Sequence, residues 1–116
     1  MSSERRKQAR YDSLNLAYLC EDEEGSVTHE GMGRTLNVSE GGILLETNFA
    51  MGTGSTLMML IALEEELISF QGTVIHSHAD GPETFRTGVE FFEIEKEGKN
   101  ILRRFIELFH EQQNQP

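Results

Sequence analysis

Two short stretches of this sequence carry side chains that could bind an anionic ligand with polar edges. The first is the Asn37–Gly42 segment, in which Asn37 and Ser39 are two residues apart. Side chains two apart share one face of an extended strand, so these two should point together toward solvent. Leu36 and Val38 should then point into the core. An amide and a hydroxyl together offer the donors and acceptors needed to read the polar edge of a planar base.

The two glycines that end this segment predict a turn with unusual backbone freedom. Glycine adopts positive φ at little cost and, because it lacks a side chain, lets backbone come close to a ligand. Gly42, together with Gly41, should therefore keep the turn open beside Asn37 and Ser39. The same residue types are common at ordinary strand-to-turn transitions, so the segment by itself is also explained as a structural turn.

The second stretch is the basic N-terminal segment, where Arg6 and Arg10 are four residues apart and Arg5 and Lys7 add charge. Guanidinium groups form bidentate hydrogen bonds with phosphate and with the O6/N7 edge of guanine, and they stack on aromatic rings. In a straight segment roughly 13 Å would separate the two arginines. Both therefore reach one ligand only if the segment curls or the ligand is as broad as a nucleotide. Residues 1–12 are expected to form a flexible arm that becomes ordered on binding, although a basic terminus can also be a solvated tail.

Length and charge limit the remaining classes of function. The chain has 116 residues and a formal net charge of -10, which predicts one domain and argues against a nucleic-acid polymer as partner. The sequence has no apolar run of membrane-spanning length, and no apolar segment follows the basic N-terminus, so we expect neither membrane insertion nor a secretory signal. The single cysteine, Cys20, fits a reducing compartment, and we expect the protein to be cytoplasmic.

Short strands separated by turn signals must position both stretches, as in a β-barrel or sandwich. The first strand alternates, with one face made of Leu14, Leu16, Tyr18 and Cys20. The second is expected over residues 27–39, with a bulge near Gly31 and Gly33. The nearly all-apolar Thr56–Leu63 run predicts a strand buried on both faces. With further strands at 43–45, 67–78 and 85–92, the fold is predicted to be mainly β, a six- or seven-stranded antiparallel barrel over residues 13–113.

After residue 95 the hydrophobic period changes to three and four residues, which predicts a C-terminal amphipathic α-helix. Its apolar face consists of Ile101, Leu102, Phe105, Ile106, Leu108 and Phe109. This face should cover an open end or side of the barrel. Alternatively, it is a contact surface for a partner protein or a second copy of the chain.

No constellation in the sequence predicts catalysis. His76 and His78 are two apart on one strand face, a spacing that can bind zinc or copper, but no third ligand is close in sequence. Cys20 has no evident activating partner and is expected to be a small core residue. The acidic clusters fall at predicted turns. We therefore predict that the chain is not an enzyme, holds no metal and needs no cofactor.

Taken together, the two polar stretches resemble the PilZ domain, a bacterial family of receptors for the second messenger cyclic di-GMP. That family carries an Arg-x-x-x-Arg segment before the first strand and, some thirty residues later, an Asp/Asn-x-Ser-x-x-Gly turn. Arg6 and Arg10 match the first motif, and Asn37, Ser39 and Gly42 match the second. The resemblance extends to the apolar run at 43–45, the Gly-Val-Glu-Phe segment at 88–91 and the closing helix.

The resemblance implies a role for each matching residue. Arg6 and Arg10 would hold guanine edges and phosphates and stack on the bases. Asn37 and Ser39 would bond a guanine and neighbouring phosphate oxygens. Gly42 would keep the turn open, with Gly41 beside it as a further candidate for ligand contact.

Three other positions bear on how the ligand would bind. In this family the residue before the first motif arginine influences how many ligand molecules bind; Arg5 is a third cation there and favours an intercalated pair of cyclic di-GMP molecules. Asn37 stands where Asp is commoner and lacks an anionic acceptor for guanine. Glu46 stands where some members place an arginine and would repel phosphate if it faced the site. His76 is a candidate for stacking on a base.

Two functions follow from these observations. In the first, the chain is a cyclic di-GMP receptor that orders its arginine arm on binding and signals through an unidentified protein effector, as a monomer or a weak dimer. In the second, it is a PilZ-type scaffold that binds no nucleotide and contacts partners through the helix at 101–109. The intact arginine and Asn/Ser/Gly motifs favour the first.

Overall fold

Six antiparallel strands close into a barrel, and one helix follows them, in a computed structural model that describes residues 15–63, 66–92 and 94–113. The strands are β1 (Asn15–Glu21), β2 (Val27–Val38), β3 (Gly42–Thr47), β4 (Thr56–Leu63), β5 (Glu66–Ala79) and β6 (Phe85–Phe91), and the helix is α1 (Lys96–Gln113). The barrel order is β1-β2-β3-β6-β5-β4, with β4 pairing back to β1. The predicted mainly β fold with a C-terminal helix is confirmed, with six strands.

Alternation along β1 and β4 supplies about half of the buried hydrophobic residues of the barrel strands. Leu16, Tyr18 and Cys20 are buried, as the period of two predicted, whereas Leu14 lies outside the described residues. The prediction that Thr56–Leu63 is buried on both faces is wrong, because Leu60 is 40% exposed. Strands β1 and β5 flank β4 within the barrel wall, so its outward side chains face solvent. An all-apolar strand here has one buried face, not two.

The bulge predicted near Gly31 and Gly33 is also wrong. In β2 the register shifts at Leu36, which is the extra residue between the Thr35–Leu45 and Asn37–Leu44 pairs. Gly31 and Gly33 instead lie beside the ring of Tyr18; a Cβ added at Gly31 would be 3.3 Å from its hydroxyl oxygen. Because the bulge inserts a residue, both Thr35 and Val38 are buried. Leu36, expected in the core, is only half-buried.

Helix α1 covers the barrel with its apolar face, as the three-to-four-residue period predicted. Leu102, Phe105 and Phe109 are buried and belong to the same hydrophobic cluster as the barrel interior. The apolar face of α1 therefore packs into the hydrophobic core of the same chain, and mainly the charged side of the helix is exposed. Within the described ranges, no helix has the length and apolar character needed to cross a bilayer.

Candidate functional site

A row of four residues crosses four neighbouring strands on the outer surface of the barrel. Asn37 in β2 pairs with Leu44 in β3, and Leu44 pairs with Gly88 in β6. Gly88 in turn pairs with His76 in β5. The register therefore places Asn37 and His76, which are far apart in sequence, at the two ends of one row.

Two bulges turn the ends of this row outward. Leu36 is the extra residue in β2, and Ile75 is the extra residue in β5, between the Val74–Val89 and His76–Gly88 pairs. A bulge changes which face the following residues occupy, because side-chain direction alternates along a strand. Val74 is fully buried, whereas Ile75 is half-exposed. The bulge thus brings His76 to the outer side, in line with Asn37.

A surface cavity of about 460 Å³ lies over this row. Its lining consists of Asn37, Val38, Ser39, Gly41, Gly42, Ile43, Leu44, Ile75, His76, Gly88, Val89 and Glu90. Five residues predicted from sequence (Asn37, Ser39, Gly41, Gly42 and His76) therefore line one cavity. The volume lies within the range of ordinary small-molecule sites.

Polar groups at the end of β2 are partly engaged within the chain and partly free. The Asn37 Oδ1 accepts a hydrogen bond from the backbone N–H of Val38 at 2.9 Å. The N–H of Ser39 donates to the Gly42 carbonyl oxygen at 2.9 Å and so closes the turn. Within the described part of the chain, the Asn37 amide nitrogen and the Ser39 hydroxyl have no hydrogen-bond partner. These groups remain available to a ligand in the cavity.

The imidazole of His76 lies directly over Gly88. A Cβ on Gly88 would lie less than 3.0 Å from the His76 ring atoms, so only glycine leaves room for the ring to lie this close to the backbone of β6. The His76 Nδ1 is buried and has no hydrogen-bond partner among the described residues. His78 stacks against the same ring, with ring centroids 5.2 Å apart and an interplanar angle of 17°. The His76 ring thus forms a flat, aromatic part of the cavity wall.

Gly41 and Gly42 do not have the role that the sequence predicted, which was to keep the turn open through unusual backbone conformations. Positive φ is found at Gly25, Gly54 and Gly81 among the described glycines, not at Gly41 or Gly42. A Cβ on Gly42 would lie less than 3.0 Å from the Val89 carbonyl oxygen in β6. Gly42 is therefore needed for close packing of β3 against β6, whereas a Cβ on Gly41 would meet nothing within 4 Å.

Charge around the cavity is negative or neutral in the described residues. None of the residues lining it is Lys or Arg, and Glu90 contributes a carboxylate. Glu46, which sequence analysis placed near the site, lies one row away, outside the cavity lining. Its Oε2 is 3.5 Å from an Arg34 guanidinium nitrogen, so part of its charge is balanced.

Several residues around the site were missed by the sequence analysis. Leu44, Ile75 and Glu90 line the cavity, and none of them was predicted to contact a ligand. Arg86 lies in β6 opposite Glu46 and pairs with Asp80 at 2.7 Å. The available signals were the apolar run at 43–45 and the Gly-Val-Glu-Phe segment at 88–91, which were noted for family likeness but not for their place in the cavity.

Three predicted ligand-binding residues, Arg5, Arg6 and Arg10, lie outside the described residues. The described chain begins at Asn15, which pairs with Arg34. Arg34 is three residues before Asn37 on β2, so the chain enters β1 near the row that carries the cavity. No cluster of three His, Cys, Asp or Glu side chains able to hold a metal is found within the described ranges.

Solved structures with the same fold come from several bacteria. The Bacillus subtilis inhibitor of motility matches with a TM-score of 0.59 and 22% identity, over 89% of this chain and 49% of that one. MrkH from K. pneumonia in its apo state matches with a TM-score of 0.61 and 13% identity, over 84% and 46%. This chain thus spans about half the length of those two proteins.

The PilZ domain of CeSA from a cellulose-synthesizing bacterium is similar along nearly its whole length. It matches with a TM-score of 0.58 and 12% identity, over 84% of this chain and 95% of that one. No curated protein sequence matches the chain. The family model of the PilZ domain matches residues 4–108, which include both the basic N-terminal segment and the Asn37–Gly42 turn. This chain belongs to the PilZ domain family.

Proposed function

We propose that this chain is a receptor for cyclic di-GMP, held between the N-terminal arginine arm and the cavity lined by Asn37, Ser39 and His76. The proposal rests on one observation above all: the described part of the cavity wall offers neutral donors and a flat ring, and none of its residues is Lys or Arg. A ligand with two phosphates needs cations, because each charge-assisted hydrogen bond contributes about 1.5–3 kcal/mol. The four basic residues at positions 5, 6, 7 and 10 are the nearest source in sequence to the start of β1.

Chain geometry supports contact between the arm and the cavity. Arg10 precedes Asn15 by five residues, which can span at most about 18 Å when extended. Along β2, Arg34 and Asn37 are three residues apart, or about 10 Å at the rise of a strand. Because Asn15 pairs with Arg34, Arg10 has enough chain to reach the Asn37 end of the cavity.

Each side chain has a distinct part in the proposed complex. The free Asn37 amide and Ser39 hydroxyl bond guanine and phosphate oxygens, and the His76 ring stacks on a base. Arg6 and Arg10 neutralise phosphate and hold guanine edges, and Arg5 favours a second, intercalated ligand molecule. Ordering of the arm then changes the surface offered to a protein effector. The receptor acts in the cytoplasm as a monomer or a weak dimer.

Calorimetric titration of cyclic di-GMP into the wild-type chain and into Arg6→Ala tests this function. We expect saturable heat with the wild type at tens of micromolar, close to two molecules per chain, and at least tenfold weaker binding by Arg6→Ala. Absence of heat with the wild type would reject the receptor function in favour of the scaffold. Equal affinity of the two proteins would reject the role of the arm, and one molecule per chain would reject the role given to Arg5.

A further inference from the structure

A second cavity lies between the Asn37–Gly42 turn and helix α1. Its volume is about 330 Å³, and its walls include Glu40 and Gly41 from the turn and Lys99 and Arg103 from the helix. We refer to it as the helix cleft. Phe91, Phe92, Ile94 and Leu102 supply its apolar surface. Of the motif residues that the structure describes, Asn37, Ser39 and Gly42, none lines this cleft.

The helix cleft combines an apolar floor with two cations at its rim. Leu102 is buried, whereas Phe92 at the cleft is 43% exposed. Lys99 and Arg103 are four residues apart, so they lie on one side of the helix with about 6 Å of axial rise between them. Such an arrangement can hold one large apolar side chain and two flanking carboxylates.

The charge at the helix cleft is positive, opposite in sign to the net charge of the whole chain. The net charge is -10, yet four of the six Lys and Arg residues in the described ranges lie between positions 96 and 104. Charges separated by more than about 8 Å are largely screened at physiological ionic strength. Glu95, Glu97 and the rim residue Glu40 offset part of this charge, but the cations remain in excess, so the complement of the cleft is acidic.

One carboxylate already occupies part of this rim. The Arg103 Nε donates to the Glu40 Oε1 at 3.3 Å, with the two side chains 63% and 74% exposed. Exposed ion pairs of this kind are weak. A carboxylate from another molecule can therefore replace Glu40 at Arg103 at little cost, and Glu40 acts as a competing ligand from within the chain.

From these contacts we infer that the helix cleft is a docking site for an acidic segment of a partner protein, which inserts an aromatic or large aliphatic side chain between Phe92 and α1. Two cations about 6 Å apart along the helix match two carboxylates that are two residues apart on one face of an extended peptide, whereas a fatty acid has a single carboxylate. The inference does not depend on cyclic di-GMP binding, because the cleft and the nucleotide cavity present different side chains.

Selection from a displayed library of random twelve-residue peptides tests the inference with the full chain. Counter-selection against the Lys99→Glu/Arg103→Glu variant removes peptides that bind elsewhere, including those attracted to the basic N-terminal segment. We expect the selected peptides to contain at least two acidic residues and one aromatic or large aliphatic residue. In fluorescence polarisation, the charge-reversed variant should bind them at least tenfold more weakly than the wild type.

Two further variants separate the cleft from general charge effects. Lys96→Glu/Arg104→Glu makes the same charge change on the same helix outside the cleft lining, and it should alter affinity less than threefold. Glu40→Gln removes the competing carboxylate and should tighten binding about two- to fivefold. Thermal melts establish that each variant is folded. If Lys99→Glu/Arg103→Glu does not fold, Phe92→Ala is used in its place. We expect Phe92→Ala to weaken binding at least tenfold as well.

Three results would overturn the inference. The first is selection without enrichment of acidic residues, and the second is a loss of affinity in the control helix variant as large as that in the cleft variant. The third is unchanged or weaker binding by Glu40→Gln, which would show that Arg103 is not where the peptide carboxylate binds. Binding of dodecanoate at the cleft without selection of acidic peptides would assign it to a small amphipathic anion instead.

Discussion

Gly42 is required by strand packing, and its neighbour Gly41 provides an internal control for that claim. A Cβ at position 42 would lie less than 3.0 Å from the Val89 carbonyl oxygen and 3.4 Å from the Val89 carbonyl carbon. Both atoms are backbone in β6, so neither can rotate away. Ordinary contact begins near 3.4 Å, and β3 and β6 would therefore have to separate by about one ångström.

The cost of Gly42→Ala can be estimated from the groups that would move. Overpacking of this kind destabilises by about 1–3 kcal/mol. Two hydrogen bonds of 2.9 Å lie at the same place, from the Ser39 N–H to the Gly42 carbonyl and from the Phe91 N–H to the Gly41 carbonyl. Weakening them adds about 1 kcal/mol. We expect a loss of about 2–4 kcal/mol in the free energy of unfolding, whereas Gly41→Ala should change it by less than about 0.5 kcal/mol.

Urea denaturation followed by circular dichroism measures both changes, provided that the m-values of the variants agree with that of the wild type. Stability of Gly42→Ala within 0.5 kcal/mol of the wild type would refute the packing argument. Equal losses in the two variants would show that the turn needs glycine for another reason. Because Gly42 also lines the cavity beside Asn37 and His76, weaker ligand binding by Gly42→Ala alone would not demonstrate a ligand contact.

Three other outcomes are expected. Raising NaCl from 50 to 500 mM should weaken cyclic di-GMP binding by at least fivefold in calorimetry, because arginine neutralises phosphate; a flat response would exclude the arm as the main contact. Asn37→Asp should tighten binding about tenfold, since an ionised acceptor strengthens hydrogen bonds to guanine; weaker binding would mean that the added charge repels phosphate. Ile61→Ala should cost about 2–5 kcal/mol in urea denaturation and Leu60→Ala less than about 1 kcal/mol, because Ile61 is 1% and Leu60 40% exposed. Similar losses for both would contradict the one-sided burial of β4.

Periodicity predicted most of the fold because it depends on neighbouring residues alone. The period of two in β1 located Leu16, Tyr18 and Cys20 in the core, and the change of period after residue 95 located α1. Burial of β4 on one face only depends on which elements cover the barrel, which a single apolar run does not encode. The run therefore predicted two buried faces, and one of them is open.

The site was predictable in its parts but not in its assembly. Asn37 and Ser39 were found from their spacing, yet their alignment with His76 depends on bulges at Leu36 and Ile75. A bulge is a property of a strand pair, because it counts residues in one strand against residues in the other. The need for glycine at position 88 also depends on another strand, because a side chain there would collide with the His76 ring of β5.

Hydrogen exchange with and without cyclic di-GMP tests most directly whether the nucleotide is bound by the turn cavity and the arm. Saturating ligand should slow exchange of backbone amides at residues 2–12, around Ser39 and Gly42, and near His76. Amides of β1 and β4 on the far side of the barrel should change little. Protection confined to β1, β4 or the helix cleft, or no protection at all with saturating ligand, would contradict binding at this site.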